Sequence, residues 1–356
     1  MNPIFAFAPP AKVSDNASRH PNPGPLQRPV KTTLVITEQC CLDCRLCYGR
    51  CKDPKPHTEL SIESWRRIAD ELAQSGVLWL YIEGGEPFLK PGFVDFLTEN
   101  TPRMFTMVRT HGTLIDRALA RHLKEIDVGI VLINLWGATA ATHDWLTQTN
   151  GSFDRAVEGI KHLVDAGLET QMLFILNRRN IQELQEYCEL AGSLGAKAVG
   201  ILRLYPLGYV RKQWTELSLS LAEMSTALAA LRAPPGLRIM QSWHPRDANC
   251  CWQMSAINAF GNSIGCAYLR EYVNFGNVLH EPFLRTWNHP LGQQLRSGKV
   301  ERSCEPCATS EGSHGGCRST AYAFHGRFDA PDPFDQELND GIDLRVLPEP
   351  VPGAQK

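Results

Sequence analysis

The chain has 356 residues, 43% of them hydrophobic, which is enough for one large domain and a smaller one with a sizeable buried core. Its 36 basic and 38 acidic side chains give a net charge of −2 with no long basic run, so nucleic acid is not an expected partner. The sequence contains no run of about 18 apolar residues that could span a membrane. Residues 1–15 lack the basic start and long apolar core of a secretion signal, so we expect a cytoplasmic protein.

Strand and helix patterns alternate along most of the chain. Residues 1–28 are rich in Pro, Asn and Ser and predict a flexible N-terminal segment. The β-branched run KTTLVIT (31–37) then predicts a strand, SIESWRRIADELAQSG (61–76) an amphipathic helix, and the apolar run VLWLYIE (77–83) a strand buried on both faces. The alternation continues as helix 91–100, strand 103–109, helix 113–126, strand 128–135, helix 153–167, strand 169–176, helix 180–195, strand 198–205 and helix 220–233.

About six β-then-α units predict a parallel sheet with right-handed crossovers, either open and doubly wound or a full or partial barrel. In each of these folds the active-site residues lie at the carboxyl ends of the strands. The rhythm breaks near residue 236, so we assign 29–235 to the sheet domain and 236–330 to a Cys-rich domain. Residues 331–356 are acidic and proline-rich and predict a loosely packed tail.

The twelve cysteines are unevenly placed. Five lie between residues 40 and 51 and six between 250 and 317, whereas Cys188 stands alone in a helical pattern and is expected to be a small buried hydrophobe. A reducing compartment makes disulfides improbable. The two groups therefore predict two metal sites.

The first group lies directly after the first predicted strand. Cys40, Cys44 and Cys47 have the spacing CxxxCxxC, and three thiolates on one loop can hold three irons of a four-iron cube while the fourth iron stays open. A zinc ion is the alternative, with Cys41 or Cys51 as a further ligand.

A second motif decides between these metals. The second predicted strand ends in YIEGGEP (81–87), where two glycines allow close backbone approach to a ligand. With the aromatic Tyr48 just after the last cysteine, the two motifs resemble the radical S-adenosylmethionine (radical SAM) superfamily over roughly residues 31–235. The resemblance implies an α/β fold, a partial (β/α)6 TIM-like barrel.

The resemblance also implies a mechanism and its cofactors. The thiolates of the first loop bind a [4Fe–4S] cluster, whose open iron is chelated by the amine and carboxylate of S-adenosylmethionine. One electron, from a donor such as flavodoxin or ferredoxin, cleaves the sulfonium bond to give methionine and a 5′-deoxyadenosyl radical, which abstracts hydrogen from substrate. The implied cofactor contacts are Gly84, Gly85 and Glu86 at the amine, Tyr48 at the adenine, and Asn134 and Arg203 at the ribose or carboxylate. For Arg203 a salt bridge at the rim is the alternative.

The second cysteine group resembles the SPASM extension of one branch of that superfamily. Cys251 and Cys266 flank a glycine in the expected way, and Cys304 and Cys307 form a CxxC pair that Cys317 follows.

Two of the seven cysteines of that extension are missing, because Ser313 and Phe334 stand in their regions. We therefore expect one auxiliary [4Fe–4S] cluster, as in the shortened "twitch" form. Its expected ligands are Cys251, Cys266 and Cys317, with a fourth from Cys304, Cys307 or Cys250. A zinc knuckle is the alternative.

The resemblance favours an oxidoreductase-type enzyme that oxidises or crosslinks a peptide or protein side chain in a maturation or biosynthetic pathway. Residues 1–28 are too short for a leader-binding domain, so a peptide substrate needs a separate presenting partner. The first alternative is a dehydrogenase, epimerase or decarboxylase acting on a small metabolite, such as an aminoglycoside-type sugar or a cofactor precursor. The second is a non-catalytic iron–sulfur or zinc scaffold.

Overall fold

The computed structural model describes residues 26, 28–55, 57–241, 254–296, 316–335 and 339–349. Within these residues a single sheet contains eight parallel strands in the order β7-β6-β5-β4-β3-β2-β1-β8. The strands are β1 (Lys31–Val35), β2 (Trp79–Glu83), β3 (Phe105–Thr110), β4 (Ile130–Asn134), β5 (Thr170–Ile175), β6 (Ala198–Leu202), β7 (Arg238–Gln241) and β8 (Met254–Ile257).

Helices connect the first six strands, as the alternating pattern predicts, and further helices follow β6 and β8. Within the described residues they are α1 (Ile62–Gln74), α2 (Phe93–Asn100), α3 (Arg117–Glu125), α4 (Ala140–Thr147), α5 (Ser152–Asp165), α6 (Leu184–Ser193), α7 (Trp214–Leu217), α8 (Leu221–Ala230), α9 (Phe283–Trp287), α10 (Pro290–Arg296) and α11 (Arg318–His325). None of these helices is long and apolar enough to cross a lipid bilayer.

Helix α1 illustrates how the sequence produces this layer. The side chain of Ser61 accepts a hydrogen bond from the Ser64 backbone N–H and caps the first turn. Trp65, Ile68 and Leu72 recur at helical spacing and are buried, and each such side chain contributes about 1.5–3 kcal/mol. The Trp65 indole N–H also donates to the carbonyl oxygen of Ile36 at 3.1 Å. Helix α1 is thus tied to the segment that leads from β1 into the cysteine loop.

The prediction of an α/β fold with a parallel sheet is confirmed, but the sheet is larger than six strands. β7 pairs with β6 and β8 pairs with β1, so both edges come from residues beyond 235. Each of these strands has only four residues, and neither is part of a β-then-α repeat, so periodicity alone does not reveal them. The domain boundary near 236 remains a prediction, and the sheet continues across it.

The C-terminal region differs from the loosely packed tail that its composition predicted. Phe334 and Leu344 are buried. The Trp214 indole N–H donates to the Leu344 carbonyl oxygen at 2.7 Å. The described parts of this segment therefore pack on the sheet domain, because apolar side chains are spaced among the acidic and proline residues. The predicted flexible N-terminal segment lies almost wholly outside the described residues.

Candidate active site

The loop after β1 places three cysteines on one cavity. Cys40, Cys44 and Cys47 all line it, and its empty space, counted out to the solvent at its mouth, is about 750 Å³. Helix α4 holds the loop through two backbone hydrogen bonds, from Asp43 N–H and Arg45 N–H, at 3.2 and 2.8 Å. We call the three side chains the cysteine wall, and three thiolates of one loop can hold an iron–sulfur cluster.

The two remaining cysteines of the loop lie close to this wall. The Cys51 backbone N–H donates to the Cys47 sulfur at 3.4 Å, and Cys51 lines the same cavity. Hydrogen bonds from Cys51 outweigh the opposing effect of burial and lower the pKa of Cys47 to about 6. Cys41 is exposed, with its sulfur 3.3 Å from His111 Nε2. Hydrogen bonds to the sulfur ligands of an iron–sulfur cluster tune its reduction potential, so Cys51 would act in this way on a cluster bound by the predicted ligand Cys47.

The glycines of the GGEP turn allow two loops to touch. A Cβ atom on Gly84 would lie 2.5 Å from the Thr37 carbonyl oxygen, and one on Gly85 would lie 2.2 Å from that of Gln39. The Gly85 and Glu86 N–H groups donate to these same two carbonyl oxygens at 2.8 and 2.7 Å. Gly84 and Gly85 also line the cavity. The turn is therefore fixed against the start of the cysteine loop, and any larger residue would separate the two.

The two glutamates that flank these glycines have different environments. Glu86 is fully buried, and its carboxylate accepts hydrogen bonds from Thr110 Oγ1 at 2.8 Å and from the His111 N–H at 3.0 Å. It also pairs with the His111 ring at 3.1 Å. Burial lowers the pKa of His111, but Glu86 and the neighbouring thiols raise it by more, to about 10. Glu86 thus holds the segment after β3, whereas Glu83 is the glutamate that lines the cavity.

A polar group from the cysteine loop and three neighbouring strands lines the same cavity. Tyr48 donates to Glu83 at 2.6 Å, and Arg109 donates to Asn134 Oδ1 at 2.8 Å and pairs with Glu83 at 3.4 Å. All four residues line the cavity. The sequence predicted sites at Tyr48 and Asn134 but missed Arg109, whose only signal is a charge at the end of the buried strand FTMVRT. A buried guanidinium and carboxylate paired in this way make a fixed polar surface.

Behind the cavity lies a neutral histidine. His143 is fully buried, and its Nδ1 accepts a hydrogen bond at 2.9 Å from the backbone N–H of Trp136, a cavity-lining residue. Burial lowers the pKa of His143 to about 4. The ring is therefore an acceptor at neutral pH and fixes the strand-to-helix turn after β4.

Arg203 is not among the residues that line this cavity. Its guanidinium pairs with the Asp332 carboxylate at 2.5 Å, and both side chains are almost completely buried. The Asp332 carboxylate also accepts hydrogen bonds from Thr320 Oγ1 at 2.7 Å and the Cys317 N–H at 2.8 Å. The structure places Arg203 in a salt bridge, as in the alternative interpretation, although a buried one rather than one at the rim. A cofactor contact by Arg203 remains a prediction.

The predicted auxiliary site is only partly within the described residues. Cys266 directly precedes the short 3₁₀ helix Ala267–Leu269, Cys317 directly precedes α11, and the two helices are in contact. Cys250, Cys251, Cys304 and Cys307 lie outside the described residues.

Comparison with known families agrees with this arrangement. The model of the Radical SAM superfamily matches residues 34–191. The model of the SPASM iron–sulfur cluster-binding domain matches residues 250–308.

Relatives align over most of the chain. The mycofactocin maturase MftC of Mycobacterium tuberculosis (strain ATCC 25618 / H37Rv) is 29% identical over 330 residues, which cover 86% of this chain and 83% of that protein. The AdoMet-dependent heme synthase of Methanosarcina barkeri (strain Fusaro / DSM 804) is 27% identical over 331 residues, which cover 84% of this chain and 94% of that protein.

Solved structures share the fold. Streptococcus suis SuiB bound to S-adenosylmethionine superposes with a TM-score of 0.70 at 16% identity, covering 87% of this chain and 78% of that one. This likeness supports the description of the sheet as a partial TIM-like barrel. The two matched domains imply a [4Fe–4S] cluster with S-adenosylmethionine and auxiliary iron–sulfur binding. These matches identify a radical SAM domain at residues 34–191 and a SPASM iron–sulfur cluster-binding domain at residues 250–308.

Proposed function

We propose that this radical SAM enzyme abstracts hydrogen from a peptide or protein side chain and leaves that side chain oxidised or crosslinked. When bound, the first cluster and S-adenosylmethionine would supply the radical that removes one hydrogen atom from the side chain. The auxiliary cluster would accept the electron left on the substrate radical, and the second proton would pass to solvent. We further propose Cys40, Cys44 and Cys47 as the ligands of the first cluster. Our proposed contacts to S-adenosylmethionine remain Tyr48, Gly84, Gly85, Glu86, Asn134 and Arg203, and our proposed auxiliary ligands remain Cys251, Cys266, Cys304, Cys307 and Cys317.

The observation that carries this proposal is the meeting of two groups in one cavity. The three-cysteine wall and the polar group of Glu83, Arg109 and Asn134 belong to different strand ends yet line the same space. The polar group is pre-paired, so it offers oriented donors and acceptors without having to reorganise when a ligand binds. Buried groups of this kind also keep bulk water from a reactive intermediate.

The peptide class is supported by similarity rather than by geometry. MftC is named a maturase, and it aligns with 86% of this chain. A small metabolite is the second candidate, favoured by a heme synthase relative that aligns over 94% of its own length.

Product analysis tests the reaction. Anoxically purified protein is reconstituted with iron and sulfide, reduced with dithionite and given S-adenosylmethionine, and we expect 5′-deoxyadenosine above the background without enzyme. A zinc ion at the three cysteines, with no 5′-deoxyadenosine, would favour a non-catalytic scaffold. Replacing dithionite with reduced flavodoxin tests the proposed electron donor.

Substrate class is tested in the same reaction. Short peptides encoded beside the gene are added in one arm, and cofactor precursors and aminoglycoside-type sugars in the other. We expect the added peptide to raise 5′-deoxyadenosine formation. We also expect the mass of the peptide to fall in steps of about two hydrogens. A response only in the small-molecule arm would replace the peptide proposal with the second candidate.

A further inference from the structure

The segment that follows Cys266 reaches back over the first cysteine loop. The Tyr268 ring lies 5.1 Å from the Tyr48 ring, centroid to centroid. The Glu271 carboxylate pairs with Arg50 at 3.2 Å and accepts a hydrogen bond from the Gly208 N–H at 3.2 Å. A part of the SPASM match therefore forms one side of the loop that we assign to the first cluster.

Arg270 is the charged residue of this segment that comes closest to the loop. Its guanidinium carbon lies 5.3 Å from the centre of the Tyr48 ring. A Cβ atom on Gly49 would lie 2.6 Å from Arg270 Nη1, so the guanidinium rests directly on the backbone that follows Cys47. The side chain is only 10% exposed. Glycine at position 49 is what allows this close contact.

The charge of Arg270 is not cancelled by a dedicated partner. Its Nη2 lies 3.6 Å from the Glu38 carboxylate, but Glu38 also pairs with Lys55 at the shorter distance of 2.8 Å. Among the described residues, no group accepts a hydrogen bond from Arg270 Nε or Nη2. A buried cation without full compensation is costly, so an arrangement of this kind points to further negative charge nearby. A cluster held by three thiolates is such a charge.

We propose that Arg270 raises the reduction potential of the [4Fe–4S] cluster held by Cys40, Cys44 and Cys47, so that the SPASM domain tunes the cluster of the barrel. This inference rests on the proposed function, because it takes that loop to hold the cluster. Reduction transfers one electron from the external donor to the cluster and adds one negative charge. A fixed positive charge in a poorly screened interior stabilises the reduced form more than the oxidised one. Arg270 thus acts on the cluster through its fixed positive charge and touches no reacting atom.

A redox titration separates this role from simple packing. The full chain is reconstituted, and the first cluster is followed by electron paramagnetic resonance, identified as the signal that changes when S-adenosylmethionine is added. Arg270→Gln should move the midpoint potential of that signal to a more negative value, whereas Arg270→Lys, which keeps the charge, should stay near wild type. Arg66→Gln is the matched control, because Arg66 lies on α1 and pairs with Glu99 at the surface at 2.8 Å.

Two results overturn the inference. One is a wild-type potential in Arg270→Gln at full iron and sulfide content. The other, decisive where Arg270→Gln loads poorly, is a potential in Arg270→Lys that falls even though the charge is kept. The proposed function fails differently: a wild-type protein with no signal that responds to S-adenosylmethionine would remove the cluster assignment itself.

Discussion

Two buried arginines lie at the carboxyl ends of strands, but one lines the cavity and the other forms a structural salt bridge. Arg109, at the end of β3, contacts Glu83 and Asn134 from the adjacent strands β2 and β4 and lines the cavity. Arg203 follows β6 and pairs with Asp332, 129 residues later in the chain. The carboxyl edge of the sheet is therefore divided. The cysteine wall and the polar group of the candidate active site lie at the ends of β1 to β4, whereas Arg203 after β6 anchors the C-terminal region.

The largest expected effect concerns the cysteine wall on the β1-to-β4 side. Cys44→Ala removes one of three proposed iron ligands, so we expect loss of the first cluster and no 5′-deoxyadenosine above background. Cys188→Ala is the control, because Cys188 is buried in α6, where burial raises the pKa of its thiol to about 12. Iron content and 5′-deoxyadenosine are measured together. Equal activity in the two variants would contradict the assignment of the cavity.

The anchor at β6 is tested by stability. Asp332→Asn takes the ionic partner from the buried Arg203 guanidinium and should cost roughly 3–5 kcal/mol of unfolding free energy. Glu99→Gln breaks the exposed ion pair with Arg66 and should cost about 1 kcal/mol or less. Urea unfolding under anoxic conditions measures both. Equal costs would show that Asp332 is not an anchor.

The neutral histidine behind the cavity gives a pH signature. Burial lowers the pKa of His143 from 6.5 to about 4 in the folded protein, so between these values the unfolded chain binds the proton more readily. The stability contribution is complete above pH 6.5 and falls as pH falls toward 4, by about 3 kcal/mol over the whole window. His143→Gln should make the unfolding free energy less dependent on pH than in wild type. Parallel pH profiles would show that His143 is not kept neutral.

The smallest expected effect tests the contact between the GGEP turn and the cysteine loop. Gly85→Ala places a methyl group against the Gln39 carbonyl oxygen, so we expect a loss of about 1–3 kcal/mol with lower iron incorporation. Gly236→Ala is the control: among the described residues, apart from its chain neighbours, no atom would lie within 4 Å of the added Cβ, and the backbone φ of 80° opposes alanine. It should cost about 1 kcal/mol and leave iron incorporation unchanged. Full iron in both variants would argue against a role for the loop contact.

The sequence was sufficient for the fold class and for the cysteine wall, because both depend on local patterns. Six repeats of strand and helix predict a parallel sheet, and three cysteines within eight residues of one loop must lie close together in space. The edge strands β7 and β8 are short and depend on pairing with distant partners, which no local pattern encodes.

The roles of individual polar residues depend on orientation and on distant contacts. Glu83 and Glu86 are three positions apart in one motif, and only the turn at the glycines between them decides which lines the cavity. The role of Arg203 depends on Asp332, which composition assigned to a loose tail. Such partners become visible only when the chain is folded.

The pairing of β8 with β1 has a consequence for synthesis on the ribosome. β1, which leads into the cysteine loop, pairs with β2 on one side and with β8 on the other. Until residues 254–257 have emerged, one row of its backbone N–H and C=O groups is exposed to water and to other chains. Exposed edges of this kind invite intermolecular strand pairing. We therefore expect a protein shortened at residue 235 to aggregate, and we expect iron delivery to succeed best after translation has passed β8.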